Sequence, residues 1–151
     1  MKPNPTLTKY SFLIGEWQTE VSNAAWLEPG EILKGIAKFE WLENQSFITL
    51  HSESFPEEGK PSPPKAVAVI SCDDTSGQCQ MLYYDERGVS RIYETSFENG
   101  VLKQWRDVPD FPQRFEGNVN EDGESIEAAW WNAKDGGAWK KDFDIRYFRK
   151  E

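Results

Sequence analysis

The chain has 151 residues with 17 Lys+Arg against 26 Asp+Glu, a formal net charge of −9 and a sequence pI near 4.7. That length suits one domain, and that charge disfavours binding to phosphate backbones or anionic membrane surfaces. No apolar run approaches the roughly 18 residues of a membrane-spanning helix, and MKPNPTLTKY lacks the basic-then-apolar layout of a secretion signal. The expectation is a soluble cytoplasmic protein with neither nucleic acid nor membrane as partner, folded as a single domain over residues 1–151. Seven Trp, nine Phe and five Tyr supply rings that can each bury roughly 150–250 Å², so disorder is excluded.

Thr6–Ile14 carries Thr8 as a candidate N-cap followed by Tyr10, Phe12 and Leu13, which predicts a short helical turn ahead of the first strand. From there the chain shows no helical period. Short alternating runs separated by turn residues predict ten strands, and so an all-β, antiparallel, up-and-down β-barrel. The runs are Ile14–Val21, Ile32–Leu42, Ser46–Ser54, Lys65–Cys72, Cys79–Asp85, Val89–Phe97, Val101–Arg106, Gln113–Val119, Ser125–Asn132 and Trp139–Arg149. In the first, Trp17, Thr19 and Val21 share one face; in the second, Leu33, Ala37, Phe39 and Trp41 do.

In a meander, successive loops fall at alternate ends of the barrel. One end receives compact turns at Glu43–Gln45, Asp73–Gln78, Glu98–Gly100 and Asn120–Glu124, two of them marked by Asn99-Gly100 and Asp122-Gly123. The other receives Ser22–Glu31, the Pro-rich Phe55–Pro64, Glu86–Gly88, Asp107–Pro112 and Ala133–Ala138. This predicts a closed floor and a loop-rimmed mouth, the end where binding residues concentrate.

Cys72 and Cys79 bracket the turn stretch DDTSGQ and face each other if the flanking strands pair. Two free thiols are the expectation in a reducing cytoplasm, with a cross-strand disulfide as the alternative. His51 is the single histidine, and no Cys/His spacing suits a metal, so no metal and no cofactor are expected.

Gly15-Glu16-Trp17 at the start of the first strand resembles the G-x-W signature of the calycins, the group of lipocalins and fatty-acid-binding proteins. The resemblance implies that Trp17 packs across the barrel floor under an arginine from the last strand, for which Arg149 is the partner and Arg146 the second choice. With the C-terminal stretch RFEGNVNEDGESIEAAWWNAKDGGAWKKDFDIRYFRK, the chain resembles a bacterial family of lipocalin-like domains of unknown function. Nitrobindin-like barrels are a neighbouring comparison and imply haem held by a histidine near the C-terminus. No histidine follows position 51 here, so that mode of haem binding is not transferred.

Strand phase nominates Phe39, Trp41, Tyr93, Trp105, Trp130, Phe143 and Tyr147 as an aromatic interior, because ten strands enclose more volume than eight. His51, Arg91 and Arg114 are the polar candidates, the arginines as partners for a ligand carboxylate. Trp131 and Phe148 fall on the outer phase, where a homodimer surface is conceivable. The function this predicts is sequestration of a small apolar or aromatic molecule. Two alternatives stay open: a cofactor-independent decarboxylase or isomerase drawing on Tyr83, Tyr84, Tyr93, Arg91, Glu94, Glu53 and His51, and a filled barrel acting as a protein-interaction module.

Overall fold

In the computed structural model, which describes residues 4–150, ten antiparallel strands form one closed ring. They are β1 (Gly15–Ser22), β2 (Leu33–Leu42), β3 (Phe47–Ser54), β4 (Ala66–Cys72), β5 (Cys79–Asp85), β6 (Ser90–Glu98), β7 (Val101–Arg106), β8 (Gln113–Val119), β9 (Ser125–Asn132) and β10 (Lys140–Arg149). Each strand pairs with its neighbours in sequence, and β1 closes the ring on β10. Every end lies within one residue of the run read from the alternating pattern, because a strand with one buried and one solvated face must alternate. Closure leaves no edge strand exposed.

The pleat sorts the side chains. On β1, Trp17, Thr19 and Val21 are buried, and their partners Arg149, Tyr147 and Ile145 on β10 point inward with them. On β2 the inward set is Leu33, Gly35, Ala37, Phe39 and Trp41. Gly35 is required by close approach: a Cβ there would meet the Glu53 carbonyl oxygen at 2.5 Å and Thr19 Oγ1 at 2.8 Å. Between Lys141 and Phe143 the β9–β10 register shifts, a bulge that reverses the facing of the preceding residues.

The floor is closed by the segment ahead of β1. Helix α1 (Pro5–Thr8) is capped by Asn4, whose side chain accepts from the Thr6 amide, with Pro5 at the first helical position. This corrects the expectation for Thr8, which ends the helix and donates its hydroxyl to the Pro5 carbonyl. A 3₁₀ turn, Ser11–Leu13, follows. Leu7, Tyr10 and Leu13 are fully buried, and the Phe12 ring lies 4.4 Å from Phe97. The Asn4 amide donates to the Cys72 carbonyl on β4 at 3.0 Å, fastening the plug to the wall.

Trp17 is 0% exposed and donates its indole N–H to the Leu13 carbonyl at 2.8 Å. The Arg149 guanidinium lies 4.2 Å above its ring and donates to the carbonyls of Ile14, Phe12 and Gly123. Gly15 adopts φ +128, and a Cβ there would press on Arg149 Nη1 at 3.0 Å, so strand entry and arginine fit depend on the same residue.

Cys72 and Cys79 are joined by a disulfide, which corrects the expectation of free thiols. They are directly opposed partners at the end of the β4–β5 hairpin, and that placement brings the sulfurs together.

Candidate functional site: the barrel cavity and its mouth

Above the floor lies a cavity of about 510 Å³, which reaches the end of the barrel where the long loops gather. Its deep wall is apolar, with Leu13, Phe39, Leu102, Phe115, Ile126 and Tyr147. Trp26 from the first long loop, Pro61–Pro64 from the Pro-rich loop, Arg87 from the β5–β6 turn and Phe111 from the β7–β8 loop form the rim.

Six of the ten residues nominated as barrel-interior binding residues line this cavity: Phe39, Arg91, Tyr93, Trp130, Phe143 and Tyr147. The rings interlock by edges. Tyr93 meets Tyr83 at 6.2 Å and Trp130 at 5.5 Å, both T-shaped, and Phe115 lies 5.1 Å from Trp130. Such pairs hold the wall in fixed rotamers. Trp41 also points inward but packs at the floor end, partnered with Ile48, outside the cavity.

Three nominees lie on the outer face. Along β3, Ile48 is fully buried and Leu50 and Ser52 share its phase, so His51 is exposed. On β8, Gln113, Phe115 and Gly117 are buried, which turns Arg114 outward; its guanidinium stacks 4.3 Å above Trp139. On β7, Leu102 and Gln104 are buried, leaving Trp105 with the exposed Lys103 on the outside. Trp139 departs from the phase of Phe143 because the bulge intervenes. Trp131 is external as the pattern indicated, with the Lys141 ammonium 5.3 Å above its ring.

In place of those three, the structure brings polar groups to the cavity that phase alone identifies and residue type does not. Gln104 shares its face with Leu102, and Gln113 with Phe115; both glutamines are buried. Tyr93 donates its hydroxyl to Gln113 Oε1 at 2.9 Å, and Arg106 Nη1 donates to the same oxygen at 3.3 Å. Arg106 Nε is buried without a hydrogen-bond partner. Gln104 Nε2 approaches the Met81 sulfur at 3.3 Å. Asp142, the residue the bulge inserts, also lines the cavity.

A second polar group sits where β5 turns into β6. Asp85 accepts from the Tyr83 hydroxyl at 2.7 Å, from the Arg87 amide at 3.0 Å and from Arg87 Nη2 at 2.7 Å. Its side chain is 0% exposed while that of Arg87 is 52% exposed. Hydrogen bonding from Arg87 holds the Asp85 carboxyl well below the usual carboxylate range. Burial, then the bond to Asp85, pushes the Tyr83 phenol up. Burial likewise raises Tyr93, against the opposing charges of Arg91 and Arg106, and it raises Tyr147 and Asp142. At neutral pH the cavity tyrosines are therefore neutral hydroxyls, able to donate and accept hydrogen bonds but unsuited to act as bases.

No family model matches the chain, and no curated protein matches it. Sixteen solved chains are similar in structure. Among them is the crystal structure of Rv2717c from M. tuberculosis, at a TM-score of 0.66 and 11% sequence identity, covering 97% of this chain and 98% of that one. This likeness shows the fold alone. It establishes that the ten-stranded barrel is an arrangement shared with a protein of very different sequence. Among the described residues, no helix is long and apolar enough to cross a membrane.

Proposed function

We propose that this barrel binds a small apolar or aromatic molecule in its interior and acts by sequestering it. The observation that carries the reading is the cavity itself: about 510 Å³, lined mainly by rings and aliphatic side chains, and reaching the loop-rimmed end. Ligand sites typically enclose about 300–1,000 Å³ with a few placed polar groups among apolar walls. Burial of apolar ligand surface at about 25 cal/mol per Å² supplies the affinity, and the Tyr93–Gln113 pair with Arg91 sets orientation. The floor built from Gly15, Trp17 and Arg149 agrees with a lipocalin-like barrel, the kind of container the G-x-W resemblance implies. Sequestration is favoured over base-driven catalysis because burial raises the cavity phenols, which are therefore not bases at neutral pH, and the one histidine is exposed on the outer face of β3.

Native mass spectrometry of protein freshly purified from its own host tests the reading. A reproducible non-covalent adduct, absent from a denatured sample, is the expected result. A bare polypeptide mass that persists after incubation with fatty acids and aromatic acids would reject it.

A further inference from the structure

The mouth end carries acidic and basic side chains together, and its arginines differ in how they are matched. Among the described residues, Arg91 and Arg106 have no carboxylate partner, whereas Arg87 is matched by Asp85. Arg91 is the second residue of β6 and lines the cavity, its guanidinium 5.3 Å above the Phe111 ring of the β7–β8 loop. Gln113 is oriented by its neighbours: Tyr93 and Arg106 both donate to Oε1, so the amide must present its Nε2 donors elsewhere. Arg106 stands behind this pair with its Nε buried and unpartnered. Arg106 is half-buried as a residue, and its Nε is a donor shut off from solvent that an arriving acceptor would satisfy. The facing acids are not paired with these arginines: Asp85 is engaged by Arg87 and Tyr83, Glu53 lies 3.3 Å from Lys65, and among the described residues Asp142 forms no ion pair.

Resting on the binding reading above, we infer that the ligand is an amphipathic anion, with a carboxylate or sulfonate head held at the mouth by Arg91 and the Gln113 amide and an aromatic or acyl body directed down toward Phe115, Ile126 and Tyr147. The charge of Arg106 reinforces the head site from behind Gln113, and the guanidinium geometry of Arg91 suits two-pronged contact with a planar or tetrahedral oxyanion. The protein is acidic as a whole, so selection for anions comes from this local donor set and not from long-range attraction.

The test uses two probes that share one ring system: 8-anilinonaphthalene-1-sulfonate and its uncharged counterpart N-phenyl-1-naphthylamine, each titrated by fluorescence. The wild type is expected to bind the sulfonate at least about tenfold more tightly, the scale of one charge-assisted hydrogen bond. Arg91→Met is expected to abolish that preference while leaving the neutral probe within about twofold. Arg114→Met, on the outer face, is expected to change neither. A measurement on the wild type alone keeps the inference testable if Arg91→Met does not fold: 1-naphthoate should displace the sulfonate probe, and 1-naphthalenemethanol should do so at least about tenfold less well. Equal affinity for both probes, or displacement by both competitors alike, overturns the anionic head while leaving interior binding intact. Failure of the wild type to bind either probe overturns interior binding itself, and the head site with it.

Discussion

Replacing Arg149 by Met removes one side chain that joins three segments at the barrel floor. The guanidinium donates to the carbonyls of Phe12, Ile14 and Gly123 and covers Trp17 at 4.2 Å, with 23% of the side chain exposed. A hydrogen bond to a charged group contributes about 1.5–3 kcal/mol and a cation–π contact about 0.5–2 kcal/mol. Partial exposure and relaxation of the turn place Arg149→Met near 4 kcal/mol of lost stability. For a domain of this size that corresponds to a Tm drop of about 8–16 °C, read by urea and thermal unfolding followed by circular dichroism, with an unchanged m-value. Arg149→Lys keeps the charge but not the fork that reaches three carbonyls, so it should recover less than half of the loss. A loss below about 1 kcal/mol for Met, or wild-type stability for Lys, would refute the view that this arginine fastens the plug to the wall.

Other consequences follow from single contacts. Gly35→Ala places a Cβ 2.5 Å from the Glu53 carbonyl oxygen and should cost about 3 kcal/mol in chemical unfolding; a neutral result would show that β2 and β3 can part there without penalty. The depressed Asp85 carboxyl stabilises the fold above the unfolded-state pKa of about 3.9, and that contribution is lost as pH falls toward the folded-state value. The stability gap between wild type and Asp85→Asn should therefore narrow steadily below about pH 5, and a gap that widened would contradict the assigned ion pair. Cys72→Ser opens the link between partners seven residues apart and should cost about 2 kcal/mol, the small value expected for a short closed loop. Equal unfolding midpoints with and without reductant would show that the link contributes nothing.

Much of the fold was legible because a closed antiparallel barrel writes its pleat directly into the sequence. The ten runs and the separation of short from long loops rest on period two and on turn residues, whereas the packing of Trp17 under Arg149 was implied by the G-x-W resemblance. The interior was legible only where a strand had one apolar face. On Val101–Arg106 both faces carry large apolar residues, and the size of Trp105 drew it inside although Lys103, two residues away, marks that face as solvent-exposed. The same phase argument, followed strictly, turns Arg114 outward with Glu116 and His51 outward against Ile48 and Leu50. It also delivers Gln104 and Gln113 to the cavity, residues that type-based reasoning assigns to the surface. The bulge at Lys141–Phe143, which moves Trp139 outside and Asp142 to the mouth, leaves no local mark in the sequence. The disulfide was geometrically visible but disfavoured by an argument from compartment, which is not a property of the chain.

The most direct test of the central claim is to fill the cavity and ask whether uptake disappears. Ser52 lines it on β3, opposite Ala37 and Ala66, with room ahead of it for a larger side chain. Saturable, one-to-one binding of N-phenyl-1-naphthylamine by the wild type, abolished in Ser52→Trp with unchanged far-ultraviolet circular dichroism, is the predicted result. Absence of binding by the wild type, or equal binding by both proteins, would contradict a ligand site inside the barrel.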